Sequence, residues 1–145
     1  MNQRVAIIDL GTNTFHLAVA DVLGSNFTIL YRERLPVKIG KGGINDGIIT
    51  NQAIDRALEG LKIFKTTIET YQVSNVLAFA ASAIRNAKNG AEVARRIQVT
   101  TGIDCKIITG EEEARYIYYG VRAAVPLGKE KSLIVDIGGG SRRKR

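Results

Sequence analysis

The sequence has few of the residues that metal, disulfide and triad sites require. Its 145 residues include one cysteine, Cys105, and one histidine, His16. A single cysteine excludes an internal disulfide framework, and two such ligands are too few for a Cys/His zinc site. A Ser-His-Asp triad would need His16 as its base. We expect His16 to be a core imidazole instead, and Cys105 to be a buried, inert thiol.

Long apolar segments are also missing. No apolar run approaches the roughly 18 residues that a membrane span needs. The opening residues MNQRVAIIDLG have too short an apolar run for a signal peptide. Hydrophobic residues make up 45% of the chain and charged residues 24%, and these ordinary globular proportions exclude wholesale disorder. We therefore expect one soluble, cytoplasmic domain without membrane contact.

Positive charge is in excess, with 21 Lys and Arg against 14 Asp and Glu and a net charge of +7. The last four residues, 142–145, are all basic, and without them the balance is 17 against 14, or +3. A terminal basic run is usually a solvated tail. We predict that 142–145 is a disordered or truncation-derived tail, and we expect no nucleic-acid polymer as a partner.

Apolar patterning predicts a meander of three strands followed by alternating helices and strands. Close strands joined by short turns indicate antiparallel pairing, and the later alternation indicates a sheet of mixed direction. The predicted strands are 5–9, 15–22, 27–32, 76–80, 105–108 and 133–136, and the predicted helices run over about 52–71, from 89 to about 102, and from 109 to before 126. This βββ-αβ-αβ-αβ order predicts an α/β domain over 1–141 that resembles the ribonuclease-H-like half of the actin, Hsp70 and sugar-kinase superfamily.

The helix starts and one loop carry informative residues. Thr50 can cap the first helix, and both Asn89 and Thr109 have a glutamate three residues later, which is capping-box spacing. The segment 37–47 is a loop with four glycines and two lysines.

The first predicted strand ends in Asp9 and leads into a turn with phosphate-binding character. Gly11 lets the backbone approach a ligand closely, and Thr12, Asn13 and Thr14 offer donors to phosphate oxygens. A plain β-hairpin turn favours the same residue types. The turn alone does not decide between these two interpretations.

The segment 133–141, LIVDIGGGS, repeats the plan of apolar strand, aspartate, apolar residue, glycine and hydroxyl. Asp136 directly follows a buried strand, so its carboxylate must be paired or act as a ligand. The consecutive glycines suit a phosphate nest, although a flexible linker or hairpin turn is the structural alternative. The residues of this second loop are Gly138, Gly139, Gly140 and Ser141.

The two turns together indicate more than either one does alone. Asp9 and Asp136 are both expected at strand ends of one sheet, where the turns can converge on a single oligophosphate. Mg²⁺ held by these two carboxylates, partly through water, would account for both of them.

Three glutamates, Glu111, Glu112 and Glu113, open the helix that starts at Thr109. Acids in a first turn complement the helix dipole and cap its N–H groups. A catalytic glutamate in this place would instead orient and polarise an attacking water. Arg85, which follows a buried strand, could contact phosphate oxygens or be an ordinary salt-bridging arginine.

These segments together resemble the Ppx/GppA phosphatase family, which comprises exopolyphosphatases and guanosine pentaphosphate phosphohydrolases. The Asn-Thr-Phe-His continuation and the Glu-Glu-Ala-Arg helix start distinguish the pattern from sugar kinases and Hsp70 proteins. The matching segments are IDLGTNTFHL at 8–17, AIRNA at 83–87, TGEEEAR at 109–115 and VDIGGGS at 135–141.

The resemblance implies a Mg²⁺-dependent hydrolase that releases terminal phosphate from polyphosphate or the γ-phosphate from pppGpp, and a homodimer as the full-length protein. It implies Glu113 as the catalytic glutamate, with Glu112 as second choice, and Arg85 as a phosphate contact. It also implies Asp136 as the metal-linked aspartate and the two glycine turns as phosphate loops.

Two features depart from the family pattern. The family continues with Ser-Thr-Glu into another strand, whereas Ser141 is followed by 142–145, and the second actin-like domain is missing. We therefore expect the N-terminal half of a longer enzyme, weakly active or inactive alone. Two other functions stay open: a non-catalytic module that binds polyphosphate or nucleotide, and an ATP-dependent kinase of the same superfamily.

Overall fold

The largest element of the fold is a mixed sheet of five strands. The computed structural model describes residues 3–24, 26–43, 46–115, 135–137 and 142–144. The strands are β1 (Gln3–Leu10), β2 (Phe15–Leu23), β3 (Asn26–Leu35), β4 (Asn75–Ala80) and β5 (Cys105–Ile107).

The strand order across the sheet is β3-β2-β1-β4-β5. β1, β2 and β3 pair antiparallel, and β4 and β5 run parallel to β1. This confirms the predicted ribonuclease-H-like class. β1 begins earlier than predicted because backbone pairing continues through polar residues, where Arg4 lies opposite Asp21 and forms an ion pair with it at 2.8 Å.

Helices connect the later strands: α1 (Asn51–Thr70), α2 (Ser82–Asn86) and α3 (Gly90–Thr101). Residues 110–115 are also helical, which matches the start of the last predicted helix; its continuation lies outside the described residues. The sequence did not predict α2, since a five-residue helix is too short for helical periodicity to show. None of the helices within the described residues combines the length and apolar character that a bilayer crossing requires.

The predicted caps have different outcomes. Thr50 caps α1 as predicted, because its Oγ1 accepts a hydrogen bond from the Ala53 N–H at 3.1 Å. The capping role predicted for Asn89 is wrong: its amide instead bonds both the N–H and the carbonyl oxygen of Ile49, each at 2.9 Å. The two hydrogen bonds to Ile49 use both the oxygen and the NH2 group of the Asn89 side chain, whereas a helix cap would use only the oxygen. Asn89 therefore fixes the end of the loop that precedes α1.

One face of the sheet packs on α1 and α3 and forms the core. The side chains of β1 and β2 that belong to this core alternate along each strand, as a half-buried strand requires. They are Ala6, Ile8 and Leu10 on β1, and Phe15, Leu17 and Val19 on β2. The largest fully buried side chain of α1 is Phe64. The opposite face is open at Ile7, which remains 39% exposed.

The last strands form a separate pair. β6 (Val135–Ile137) and β7 (Arg142–Lys144) are antiparallel, with Asp136 opposite Arg143. The expectation that Asp9 and Asp136 end strands of one sheet is therefore wrong, because β6 belongs to a two-stranded sheet. The structure also has a strand where the sequence predicted a disordered tail. An antiparallel ladder uses backbone groups, so basic side chains do not prevent it. The predicted boundary between a domain at 1–141 and a tail stays a prediction.

We predict that Gly90→Ala destabilises the chain. A helical Gly→Ala change normally stabilises by up to about 1 kcal/mol. Here the added Cβ would collide with the carbonyl oxygen of Ile84, so we expect a loss of about 1–3 kcal/mol in urea unfolding. The control is Ala91→Gly, which should cost at most about 1 kcal/mol through helix propensity alone. A stabilised Gly90→Ala variant would contradict this packing.

Candidate active site

The loop between β1 and β2 is held from two sides. The Lys38 N–H donates to the Asn13 carbonyl oxygen at 2.9 Å, and the Ile39 N–H donates to that of Thr12 at 3.0 Å. On the other side, the Thr12 Oγ1 lies 3.0 Å from the Ser82 Oγ at the start of α2. The predicted phosphate loop is therefore a fixed structure rather than a free turn.

Gly11 has a structural role in this loop that does not depend on its predicted role toward a ligand. A Cβ at this position would lie 2.8 Å from the carbonyl oxygen of Thr14. Any side chain would therefore push the two ends of the turn apart. Glycine is needed for the turn itself, whether or not a ligand approaches it.

Asp9 and His16 lie next to each other on the open face of the sheet. They are partners in the pairing of β1 with β2, and both side chains are exposed. The expectation that His16 is a core imidazole is wrong, because its neighbours Phe15 and Leu17 take the positions that face the helices. Asp9 lies two residues before Gly11, and its role as a ligand stays a prediction.

The structure gives the three first-turn glutamates different partners. Glu111 forms an ion pair with Arg115 at 3.7 Å, and both side chains are more than half exposed. Glu112 completes a capping box, since its Oε1 accepts from the Thr109 N–H while its own N–H donates to the Thr109 Oγ1, each at 3.0 Å. This confirms the predicted cap.

Glu113 lies on the inner side of the same turn. Its Oε2 is 3.5 Å from Nη1 of Arg85, and the two side chains are only 16% and 19% exposed. The same Nη1 donates to the Ile108 carbonyl oxygen at 2.9 Å. The guanidinium is thus anchored at the end of β5. It carries five N–H donors in a plane, a geometry that suits phosphate oxygens.

Sequence reasoning missed the residue that connects these parts. Ser82 is 5% exposed and contacts Thr12, while Arg85, three residues later on α2, contacts Glu113. The available signal was a hydroxyl residue two positions after the buried end of β4. A buried hydroxyl requires a hydrogen-bond partner, but the sequence does not say which one.

The predicted metal and second phosphate loop are described only in part. Asp136 lies in β6, of which only the backbone is described, and Gly138, Gly139, Gly140 and Ser141 fall outside the described residues. Within the described part of the chain, no group of three His, Cys, Asp or Glu side chains is placed to hold a metal ion. Cys105 is buried as expected, and burial raises the pKa of its thiol to about 11.

The strand order of the sheet and its connections define the fold class: the chain is a partial domain of the actin, Hsp70 and sugar-kinase fold. Within it, the model of the Ppx/GppA phosphatase family matches residues 18–143. The chain belongs to this family.

Similar proteins agree with this assignment. The crystal structure of an exopolyphosphatase from Cytophaga hutchinsonii is 42% identical, with a TM-score of 0.93, over 98% of this chain and 46% of that one. The Ppx/GppA family member of Aquifex aeolicus is 30% identical, with a TM-score of 0.84, over 98% of this chain and 46% of its own. A curated relative in Haemophilus influenzae is 32% identical over 96% of this chain and 43% of the relative. The chain thus spans less than half the length of these proteins.

We predict that Glu112→Gln makes stability less dependent on pH. Hydrogen bonds from the backbone and side chain of Thr109 lower the pKa of Glu112 from its ordinary value of 4.5. A lowered folded pKa gives stability that is present above the unfolded value and lost as pH falls through the folded one. The difference in Tm between the unmodified chain and Glu112→Gln should therefore be largest above about pH 5 and decrease toward zero at about pH 3.

The control for this experiment is Glu111→Gln, which removes a charge from the same turn without touching the cap. Equal pH dependence of the two variants would show that the capping box does not carry the effect.

Proposed function

We propose that this chain is the N-terminal half of a hydrolase that cleaves terminal phosphoanhydride bonds of polyphosphate or pppGpp. The observation that carries the proposal is the double contact of α2, with Ser82 on the phosphate loop and Arg85 on Glu113. The short helix α2 thereby connects the proposed phosphate loop, Gly11–Thr14, to the carboxylate of Glu113. Family membership supports the same chemistry.

The proposed reaction is attack of water on the terminal phosphorus. A new P–O bond forms in line with the bond that breaks, and the bridging oxygen leaves with the remaining phosphate chain. Glu113 accepts a hydrogen bond from the attacking water and takes its proton late. Because a fixed carboxylate orients that water, much of the entropic cost of the encounter is met before the reaction.

Charge on the phosphate oxygens is the main obstacle to such an attack. The donors of Arg85 and of the Gly11–Thr14 loop are fixed in place before substrate arrives. Preorganised donors stabilise developing charge without reorganisation during the reaction. These groups would hold the terminal phosphate while Glu113 orients the water.

Mg²⁺ is part of the proposal. Asp9 is an exposed carboxylate beside the phosphate loop, and Mg²⁺ commonly binds through one or two carboxylates plus water and substrate phosphates. Asp9 fits that donor set, with Asp136 as the second proposed ligand. The ion would neutralise phosphate charge.

The length of the chain bears on its activity alone. It corresponds to 46% of the Cytophaga hutchinsonii enzyme, so the opposite wall of an interdomain cleft would come from elsewhere. We propose weak or no activity for the chain alone, and a homodimer only for the full-length enzyme.

The test is a hybrid in which this chain replaces the corresponding N-terminal part of the Cytophaga hutchinsonii enzyme. We expect the hybrid to release inorganic phosphate from polyphosphate or pppGpp. Glu113→Gln should lower that release by about 10²–10⁴-fold, because glutamine cannot take the proton of the water. The measurement is phosphate production over time.

The matched control is Glu112→Gln, which changes the neighbouring cap and should leave the rate near that of the unmodified hybrid. A Glu113→Gln hybrid with undiminished release would refute the role of Glu113. Transfer of phosphate to an acceptor without release to water would support the kinase alternative instead.

A further inference from the structure

A short turn next to the Gly11–Thr14 loop carries two lysines that the proposed reaction does not use. It spans residues 38–41 and is closed by a hydrogen bond from the Lys41 N–H to the Lys38 carbonyl oxygen at 3.1 Å. The ends of a β-turn lie within about 7 Å of each other, and both lysine side chains are exposed. The turn therefore presents two positive charges close together.

Lys38 has an unusual backbone conformation. Its φ is +53°, in the left-handed region that a Cβ disfavours and that glycine, asparagine and aspartate mainly occupy. Gln72, the other described non-glycine residue with a positive φ, directly follows the C-cap of α1, where this conformation is common. Lys38 follows a strand and a loop instead. A lysine here costs free energy that glycine would not, and such strained residues cluster at functional sites.

Hydrogen bonds on both sides fix Lys38 in this conformation. Its N–H donates to the Asn13 carbonyl oxygen at 2.9 Å, and its own carbonyl oxygen accepts from Nη2 of Arg56 at 2.8 Å. Nε of the same guanidinium donates to the Val37 carbonyl oxygen at 2.9 Å. Arg56 belongs to α1, so a helix of the core holds the turn against the loop. Because the backbone is already ordered, a ligand that binds Lys38 has only its side chain to immobilise.

From this arrangement we propose that the turn 38–41 is a second phosphate-binding element, in which Lys38 and Lys41 bind phosphates behind the one that is attacked. The proposal rests on the proposed function, because the Gly11–Thr14 loop would hold the terminal phosphate. The backbone bond to Asn13 places Lys38 next to that loop, and the flexible four-carbon stem of a lysine lets its ammonium reach along a phosphate chain. Cations in this place add affinity without taking part in the attack.

The test measures binding of tripolyphosphate and of GTP to the 145-residue chain by titration calorimetry. Lys38→Asn removes the charge and suits the left-handed backbone, so it should weaken binding of at least one ligand about three- to tenfold, while Tm stays equal or rises. Lys38→Arg keeps the charge and should bind within about twofold of the unmodified chain. A loss confined to one ligand would show whether an inorganic chain or a nucleotide chain crosses the turn.

Salt dependence separates a charge contact from a change in fold. Screening weakens exposed charge pairs as ionic strength rises, so the difference in Kd between the unmodified chain and Lys38→Asn should shrink from about 0.05 M to about 0.5 M NaCl. Lys41→Gln should behave in the same way. The control is Lys65→Asn, which removes an exposed positive charge about 21 Å along α1 from its first residue. It should leave both Kd values unchanged.

The outcomes separate this inference from the proposed function. If the unmodified chain binds a ligand and Lys38→Asn binds both ligands equally well, the second element is refuted and the phosphate loop stands. A loss that Lys38→Arg or Lys65→Asn shares, or that salt does not reduce, would also refute it, and an unaffected Lys41→Gln would refute the part of Lys41. If neither ligand binds to the unmodified chain, the phosphate site itself is refuted and the second element falls with it.

Discussion

The hydrogen bond between the hydroxyls of Thr12 and Ser82 is the constraint on which the rest of the site depends. It is partly buried and joins residues 70 positions apart. The loop after β1 and the helix after β4 come from adjacent parallel strands, so both start from the same edge of the sheet. This bond fixes α2 against the Gly11–Thr14 loop, and α2 in turn presents Arg85 to Glu113.

The three glutamates show that the position of a side chain within one helical turn determines which groups it contacts. Consecutive residues on a helix point about 100° apart, so identical side chains meet solvent, the helix N-terminus and the protein interior. Glu112 is committed to the cap at Thr109, and Glu111 lies with Arg115 at the surface. Only Glu113 faces the anchored guanidinium. The family resemblance implies Glu113 rather than Glu112 as the catalytic glutamate, and the contact with Arg85 gives a geometric reason for that choice.

Much of the fold followed from local signals in the sequence. The strands of the main sheet, the cap at Thr50 and the capping box at Thr109 each depend on residues close together in the chain. His16 takes the open face because Phe15 and Leu17 occupy the core, an outcome that strand alternation itself indicates. The misassigned cap depends instead on a contact distant in sequence, because Asn89 pairs with Ile49 rather than with its own helix. Ser82 was missed for the same reason, since its partner is Thr12. Periodicity carries no information about such pairs.

If the proposed site is correct, phosphate binding and turnover should require different amounts of protein. The proposed contacts of the Gly11–Thr14 loop and Arg85 with phosphate come from one wall, and these residues lie within the described part of the chain. Catalysis also requires exclusion of water, because a developing charge is stabilised most effectively where the local dielectric is low. The open face beside Asp9 and His16 is exposed, so charges there are screened by solvent. A second wall over this face would strengthen the proposed contacts without adding one, so we expect the chain alone to be better suited to bind phosphates than to hydrolyse them.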